Sequence, residues 1–357
     1  MNLHISSAFV SSFFLLYNLM PSQYCSAIDA ITPTQVLTQE QTLTSSGQIF
    51  ELGFFNPGNS GKNYAGVWYK NISVPTIVWV ANRERPLSAL DSSTVLTIGS
   101  DGNLMLVDSM QNSVWSTNES SYGRALIILA IPFLPNMKIG MNIKTGERRS
   151  LASWQTEDDP SPRNFSLGIA AQMPLQSFIW NGTIPYWRSG QWNGLKFTGV
   201  PEMDDVYLNV FNLLQDTQQG TAYFTFNIFN DSYVTNTVIS TVGSLKIRDW
   251  DEDKKKRSTR WEEPRSLCDL HGACGPYGVC NTYKSPICRC LKGFVPKSSD
   301  EWSKGNWTGG CIRSTELLCD KNTSDRRKND GFWKLGGTKL PDLNEYLRHQ
   351  HAKECEI

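Results

Sequence analysis

Short runs of alternating apolar and polar residues fill residues 41–115, and the same pattern returns in residues 151–261. The runs are rich in Val, Ile, Trp and Tyr, and turn-forming residues separate them, for example at 56–61 and at 101–102. Successive side chains of a β-strand point to opposite faces, so a period of two residues predicts strands. No helical period of any length occurs in residues 41–115. The pattern predicts a mainly β fold, either a sandwich or a prism.

Four stretches of residues 151–261 carry more specific expectations. A Pro-rich turn is predicted at Asp158–Pro162, and a tight hairpin at Asn181-Gly182. The run Asp251–Arg260 carries charges of both signs, and we interpret it as a solvated loop between strands rather than as a contact patch. The aromatic residues of Tyr186–Trp192 are candidates for an exposed binding surface, but burial in the core is the expected outcome.

Six cysteines lie between residues 268 and 311, separated by five, five, seven, one and twenty residues. A segment this short and this rich in Gly, Pro and Asn cannot bury enough apolar surface to fold alone, which predicts disulfides. Cys288 and Cys290 point in opposite directions along an extended strand, so each needs a different partner. Six cysteines allow fifteen pairings, and spacing alone does not choose among them. A zinc site that includes His271 is the alternative, and it requires a reducing compartment.

The amino terminus predicts an oxidising compartment. Ile5–Leu19 is an apolar stretch, shorter than the ~20 residues that span a bilayer. Small residues at Cys25-Ser26-Ala27 follow it, so residues 1–27 are predicted to be a signal peptide. Its removal leaves eight cysteines, an even number that suits oxidative folding, and no hydrophobic anchor. We therefore expect a secreted, extracellular product.

Glycosylation sequons support the same compartment. Seven Asn-x-Ser/Thr sequons occur, at Asn71, Asn118, Asn164, Asn181, Asn230, Asn306 and Asn322. Together with a signal peptide they predict a glycosylated surface. The formal net charge is zero, so neither nucleic acid nor an acidic membrane is an evident electrostatic partner.

Catalytic motifs are absent from the sequence. It contains no Gly-rich nucleotide loop, no His-Glu-x-x-His, no Gly-x-Ser-x-Gly, and neither the His-Arg-Asp nor the Asp-Phe-Gly of kinases. His349 and His351 resemble a metal-binding pair, yet no third ligand lies near them, so we interpret them as loop histidines. A secreted hydrolase would need a nucleophile–base arrangement, which the sequence does not offer. The prediction is a protein with no enzymatic activity, no cofactor and no metal.

Several segments resemble one plant family in the family's own order. Residues 31–87 are similar to the bulb-type, mannose-binding lectin domain of S-locus glycoproteins and G-type lectin receptor-like kinases. The segment YWRSGQWNGLKFTGVPEM resembles the S-locus glycoprotein segment that follows, and residues 330–355 resemble the start of a PAN/apple domain. The spacing of the six cysteines resembles an EGF-like module.

The resemblance implies a domain order. It places a bulb-lectin β-prism at 28–150, a second lectin-like β domain at 151–265, an EGF-like module at 266–312 and a partial PAN/apple domain at 313–357. It also implies the disulfides Cys268–Cys280, Cys274–Cys288 and Cys290–Cys311. Each would close a loop worth about 3 kcal/mol in the chain-entropy model. Cys319 and Cys355 match the first PAN cysteines, and they either pair with each other or remain thiols.

The chain departs from the family at the sugar site. The mannose motif Gln-x-Asp-x-Asn-x-Val-x-Tyr becomes Gly99, Asp101, Asn103, Met105 and Val107. Loss of the amide and the phenol removes two sugar contacts, at about 1 kcal/mol each. We interpret Asp101 and Asn103 as residues of a hairpin turn rather than of a mannose site.

A second departure lies after Asn118, where the chain lacks about two strands of the family pattern. Their loss would expose sheet edges. The apolar run Ala125–Leu134 is expected to form a replacement core strand rather than an interaction patch.

By resemblance, the chain is a non-catalytic extracellular recognition module. Its ligand would be a glycan or a small secreted peptide, and its partner a receptor-like kinase ectodomain, in pollen recognition or defence signalling. The alternative is a truncated fragment of a membrane receptor serine/threonine kinase without its kinase and transmembrane parts.

Overall fold

The computed structural model describes residues 31–32, 34–58, 60–73, 76–88, 91–117, 126–129, 133–170, 173–204, 211–227, 234–316 and 333–342. Several predictions fall outside these residues: the signal peptide, the sequons at Asn118, Asn230 and Asn322, Cys319, Cys355, and the His349–His351 pair. The fold is mainly β, as predicted. Among the described residues, no helix is both long enough and apolar enough to cross a membrane.

The amino-terminal unit, residues 37–116, contains two antiparallel sheets. The first has the order β1 (Leu43–Thr44), β2 (Phe50–Phe55), β3 (Lys62–Tyr69) and β4 (Ile77–Val80), with β5 (Leu87–Ser88) paired to β3. The second is β6 (Val95–Ile98), β7 (Leu104–Val107) and β8 (Ser113–Ser116). Leu37, Ala65, Ala81, Leu96 and Leu106 form the buried core between them. The predicted hairpin at 101–102 is the β6–β7 turn.

The central unit, residues 126–263, is a sandwich of two sheets. Its strands are β9 (Leu126–Leu129), β10 (Ile139–Asn142), β11 (Arg148–Thr156), β12 (Asp159–Ile169), β13 (Gln176–Asn181), β14 (Ile184–Gln191), β15 (Phe211–Asp216), β16 (Thr221–Phe226), β17 (Thr235–Ile239), β18 (Leu245–Asp251) and β19 (Lys256–Glu263). The larger sheet has the order β14-β13-β12-β11-β10-β16-β15, with β9 parallel to β11, and the smaller is β17-β18-β19.

Cross-strand register explains how the larger sheet presents one apolar face. Leu151 lies opposite Leu167, Leu167 opposite Ile179, and Ile179 opposite Trp187, so one row crosses four strands. Because strand residues alternate between faces, all four side chains point into the sandwich, where each is buried. The smaller sheet covers this face with Ile239, Leu245 and Ile247.

Three details differ from the expectations. The turn predicted at Asp158–Pro162 lies at residues 157–158 instead. Strand β12 begins at Asp159 and includes Pro160 and Pro162, and its register with β11 shifts in this part of the pair. The prediction of a loop at Asp251–Arg260 is wrong for most of that run, since only residues 252–255 form a turn and β19 begins at Lys256. Leu126–Leu129 is a strand, but it pairs with β11, so the central sheet includes residues on both sides of residue 150.

The two units share a seam. Trp250 of the central unit is buried against Tyr69, Ile72 and Val78 of the amino-terminal unit. Lys62 Nζ lies 2.7 Å from Asp159 Oδ2 across the same boundary. Apolar burial therefore joins the units, and a partly exposed ion pair adds little to it.

The cysteine-rich segment, residues 267–313, contains the strand pairs β20 (Gly278–Cys280) with β21 (Cys288–Cys290) and β22 (Phe294–Pro296) with β23 (Cys311–Arg313). A one-turn helix, α1 (Ser299–Ser303), starts at Ser298, whose hydroxyl accepts from the Glu301 amide. The disulfides are Cys268–Cys280, Cys274–Cys288 and Cys290–Cys311, the pairs that the EGF-like spacing implied, with Cα separations of 5.3, 5.5 and 5.7 Å.

Candidate functional site

Asp101 and Asn103, the two residues that match the mannose motif in the sequence, hydrogen-bond within the β6–β7 turn. Asp101 Oδ1 accepts from the Asn103 amide at 3.0 Å, and Asp101 Oδ2 accepts from Asn103 Nδ2 at 2.8 Å. The hydroxyl of Thr117 donates to Asn103 Oδ1 at 2.8 Å. The hydrogen bonds from Asn103 hold the pKa of the exposed Asp101 carboxyl below its usual range. Both polar side chains therefore stabilise local backbone, as the turn interpretation expects.

A polar groove of about 460 Å³ lies elsewhere in the amino-terminal unit. One wall is the loop of residues 81–85, which follows β4, and the other is strand β8, Ser113–Ser116. We call it the 81–116 groove. Its volume falls within the range of about 300–1,000 Å³ that is typical of small-molecule sites.

Asn82 fixes the loop that forms the first wall. The side chain is 1% exposed, and its Oδ1 accepts from the Ala65 amide at 2.9 Å. Its Nδ2 donates to the carbonyls of Asn63, at 3.3 Å, and Arg85, at 3.0 Å. The Arg85 amide in turn donates to the Asn82 carbonyl at 3.0 Å, closing a tight turn. One buried amide thus anchors the loop to β3, so the wall is held by the fold before any ligand arrives.

Trp115 supplies an aromatic wall on the opposite side. It is half-buried and lies edge-to-face against Trp79, with ring centroids 5.5 Å apart. Trp79, Val114 and Trp115 all pack against the core of the unit. The ring is therefore held in place by packing while it lines the groove.

The charged residues of the groove are Arg83, Glu84 and Arg85. Burial lowers the pKa of the Arg83 guanidinium from its ordinary value, and the nearby Glu84 carboxylate opposes that effect. Glu84 and Arg85 are exposed. The groove therefore carries one net positive charge, with a cation that is partly withdrawn from water.

The other candidates from the sequence do not form a surface site. Trp187 is 2% exposed in the central core. Tyr186 packs on Phe165, with ring centroids 5.0 Å apart, and Trp192 packs on Phe197 at 5.1 Å. The aromatic run is a core element, which was the expected outcome.

The cysteine cluster offers no thiolate in this structure. The sulfurs of Cys274, Cys280 and Cys288 lie within 4.8 Å of one another because two disulfides stack there. Zinc requires deprotonated, unpaired cysteine sulfur, so these residues do not fit the metal in their paired state. His271 instead places its Nε2 3.7 Å from Asp342 Oδ2.

The described sequon residues all lie on the surface. Asn71, Asn164, Asn181 and Asn306 are exposed. Asn71 Nδ2, the atom that would carry a glycan, donates to the Gln48 carbonyl at 3.1 Å. Glycosylation at these four positions stays a prediction.

The two units and the disulfide framework define a mainly β protein of the lectin type. Residues 76–131 match the family model described as D-mannose binding lectin, and residues 187–298 match the S-locus glycoprotein domain. The first match contains both walls of the 81–116 groove.

Relatives in Arabidopsis thaliana narrow the class. The G-type lectin S-receptor-like serine/threonine-protein kinase At1g61390 is 38% identical over 353 residues, which is 91% of this chain and 42% of the relative. The kinase SD1-29 of the same type is 37% identical, over 96% of this chain and 45% of the relative. A third, At1g61550, is 41% identical, over 91% of this chain and 43% of the relative.

The chain contains segments that match the D-mannose binding lectin and S-locus glycoprotein models, and over most of its length it is similar to G-type lectin S-receptor-like kinases. It spans less than half the length of the curated relatives it matches. Both matched family models are binding or glycoprotein domains rather than kinase domains.

No pattern in the sequence predicts the groove. Its two walls are about thirty residues apart in the chain, and only the folded sheets bring them together. One signal was available in the segment Ala81-Asn82-Arg83-Glu84-Arg85, where polar residues directly follow a strand of buried apolar ones. Such positions at strand ends favour binding sites over packing.

Proposed function

We propose that this chain is a non-catalytic extracellular recognition module that binds a glycan in the 81–116 groove. The observation that carries the proposal is the location of the groove: an anchored loop and a fixed aromatic ring face each other inside the segment that matches the lectin model. A site with a rigid aromatic wall and a few polar groups suits sugar rings, which have both apolar faces and hydroxyl edges.

Two further observations support an extracellular location. Three disulfides hold the cysteine-rich segment, and such bonds persist in oxidising compartments. Four sequon residues are exposed and available to the glycosylation machinery. In the proposed role, the chain supplies ligand recognition for receptor signalling of the type that the names of its relatives describe. Pollen recognition and defence are the two settings that the family resemblance implies for that signalling.

The test places a bulky side chain in the groove. Ser113 is an exposed serine on the β8 wall, and Ser109 is an exposed serine of the same unit outside the groove. Immobilised glycans, including mannan, should retain the wild-type chain and Ser109→Trp, but not Ser113→Trp. Thermal melting checks that each variant folds. Equal retention of both variants would remove the groove from the proposal, and no retention of any form would contradict glycan binding itself.

A further inference from the structure

The charges of the 81–116 groove differ from those of the chain as a whole. The full sequence has 34 basic and 34 acidic residues, for a net charge of zero. The groove has two arginines and one glutamate among its nine lining residues, which leaves one positive charge. A neutral hexose gains nothing from such an excess, whereas an anionic ligand does.

Arg83 is the residue on which this preference rests. Its guanidinium is partly buried, and the cost of that burial is visible in its lowered pKa. The neighbouring Glu84 is exposed, so solvent screens the attraction between the two. An anion that enters the groove would displace water and approach the guanidinium at low dielectric. Under these conditions a charge-assisted, bidentate hydrogen bond is strongest.

Arginine also suits a planar or tetrahedral oxyanion by shape. Its fork of donors matches carboxylate or sulfate oxygens two at a time, which lysine cannot do. Arg85, exposed beside it, offers a second cation within the same wall. Trp115 lies on the other wall, where it can contact the ring face of a sugar.

We propose that the 81–116 groove recognises an anionic sugar, one that bears a carboxylate or a sulfate group, in preference to neutral mannose. The proposal rests on the glycan-binding function proposed above and names its ligand class. It places the acidic group at Arg83 and Arg85 and the pyranose ring against Trp115. The proposal does not require Asp101 or Asn103 to contact the sugar, which agrees with the hydrogen bonds that hold both residues in a turn.

Matched trisaccharides test the ligand class. Isothermal titration would compare a tri-uronate, its methyl ester, a sulfated trisaccharide and mannotriose. The methyl ester keeps the sugar ring and removes only the charge. We expect the tri-uronate or the sulfated sugar to bind at least tenfold more tightly than the methyl ester and mannotriose. We also expect this advantage to shrink between 50 mM and 500 mM salt. The tighter of the two anionic ligands identifies the acidic group.

Variants locate the acidic group within the groove. Arg83→Gln and Arg85→Gln should each weaken binding of the anionic sugar about tenfold or more, a larger factor than that by which they weaken binding of mannotriose. Arg289→Gln, an exposed arginine of the cysteine-rich segment, is the matched control. Arg83 is partly buried, so Arg85→Gln and the methyl ester carry the test if Arg83→Gln fails to fold.

The two proposals fail in different ways. Equal affinity for the methyl ester and the free acid would overturn the anionic preference, yet loss of that binding in Ser113→Trp would still support a glycan groove. Absence of binding to all four trisaccharides would contradict both proposals. Tight binding of the acid that neither Arg83→Gln nor Arg85→Gln changes would place the anion site outside the groove and overturn the inference.

Discussion

Among the described residues of the central unit, thirteen buried apolar side chains form one core cluster, whereas the buried side chains of the cysteine-rich segment belong to three cysteines, Cys274, Cys288 and Cys311. In the central unit, rows of Leu, Ile, Phe and Trp cross the strands in register, so burial of apolar surface supplies the stability. In the cysteine-rich segment, strands of three residues leave Tyr277, Val295 and Ile312 exposed. The comparison shows one chain using two means of stabilisation, according to how much surface each region can bury.

The two regions meet at a third kind of contact, one that is rich in charge. Leu270 forms a bridge with Trp187, and the His271 amide donates to the Tyr186 carbonyl at 2.8 Å. Residues 333–342 contact the central unit at the same junction. Lys339 donates to the Arg188 carbonyl, and Asp342 accepts from Gln176 Nε2 at 2.6 Å. The junction therefore depends on polar and ionised groups rather than on disulfides or an apolar core.

The largest loss of stability is expected from a substitution in the central core. Phe226 is 1% exposed and packs edge-to-face on Phe133, with ring centroids 5.0 Å apart. Phe226→Ala should lower the free energy of unfolding by about 3–5 kcal/mol, since it removes apolar contacts and leaves a cavity. Urea unfolding followed by tryptophan fluorescence measures the loss. The exposed Leu195, 86% accessible, gives the control Leu195→Ala, which should change little. A similar loss in both variants would contradict the assignment of stability to the core.

Removal of one disulfide should produce a smaller and local effect. The Cys274→Ser, Cys288→Ser double variant opens the loop of 14 residues and should cost about 2–5 kcal/mol within the cysteine-rich segment. Hydrogen exchange should show lost protection in residues 267–313 while β11–β14 keep theirs. Thr282→Ala, at an exposed position of the same segment, is the control. Loss of protection across both regions would show that they unfold as one unit and would contradict separate means of stabilisation.

These two regions also differ in how well the sequence predicts them. Alternation identified the strands of residues 50–116 and 221–251, because a face that contacts the core must repeat every second residue. The disulfide partners followed from family resemblance, since cysteine spacing alone allows fifteen pairings. The loop predicted at Asp251–Arg260 was wrong because charge indicates solvent exposure, and an exposed strand face is charged too. Arg260 bonds Asp249 across the β18–β19 pair, a contact that only the register creates.

Tertiary contacts limit how much of the candidate site can be predicted from the sequence. Asn82 looks like an ordinary loop residue in the sequence, yet its three hydrogen bonds anchor one wall of the groove. The partly buried Arg83 beside it could not be recognised as part of a groove until the fold placed β8 opposite the loop. The signal peptide, the glycosylated asparagines and the domain boundaries stay predictions.

A substitution at the charged junction should change the free energy of unfolding least, by an amount that depends on pH. Glu263, at the end of β19, is 6% exposed, and burial raises the pKa of its carboxyl to about 7. Asp269 and Glu202 raise this pKa further, and Arg265 and Lys339 oppose them. Its folded pKa exceeds its ordinary value of 4.5, so its contribution to stability is fully present below pH 4.5 and is lost as the pH rises through 7. Glu263→Gln should therefore match the wild type near pH 4. At pH 8 it should be more stable by about 1–2 kcal/mol, below the upper bound of about 3 kcal/mol that the pKa difference sets.

The neighbouring residue provides a control of opposite sign. A hydrogen bond from the Ser244 hydroxyl lowers the pKa of Glu262, and Lys246 Nζ, 3.0 Å away, lowers it further. A depressed pKa contributes stability that is present above the ordinary value and is lost as the pH falls through the folded one. Glu262→Gln should therefore cost up to about 1 kcal/mol at pH 7, where this partly exposed ion pair is formed, and progressively less near pH 4. Urea unfolding of both variants from pH 4 to pH 8 measures the two slopes. The free energy of unfolding could instead change with pH in the same way for Glu263→Gln and the wild type. The junction would then not hold a buried carboxyl, and it would be stabilised in the same way as the core beside it.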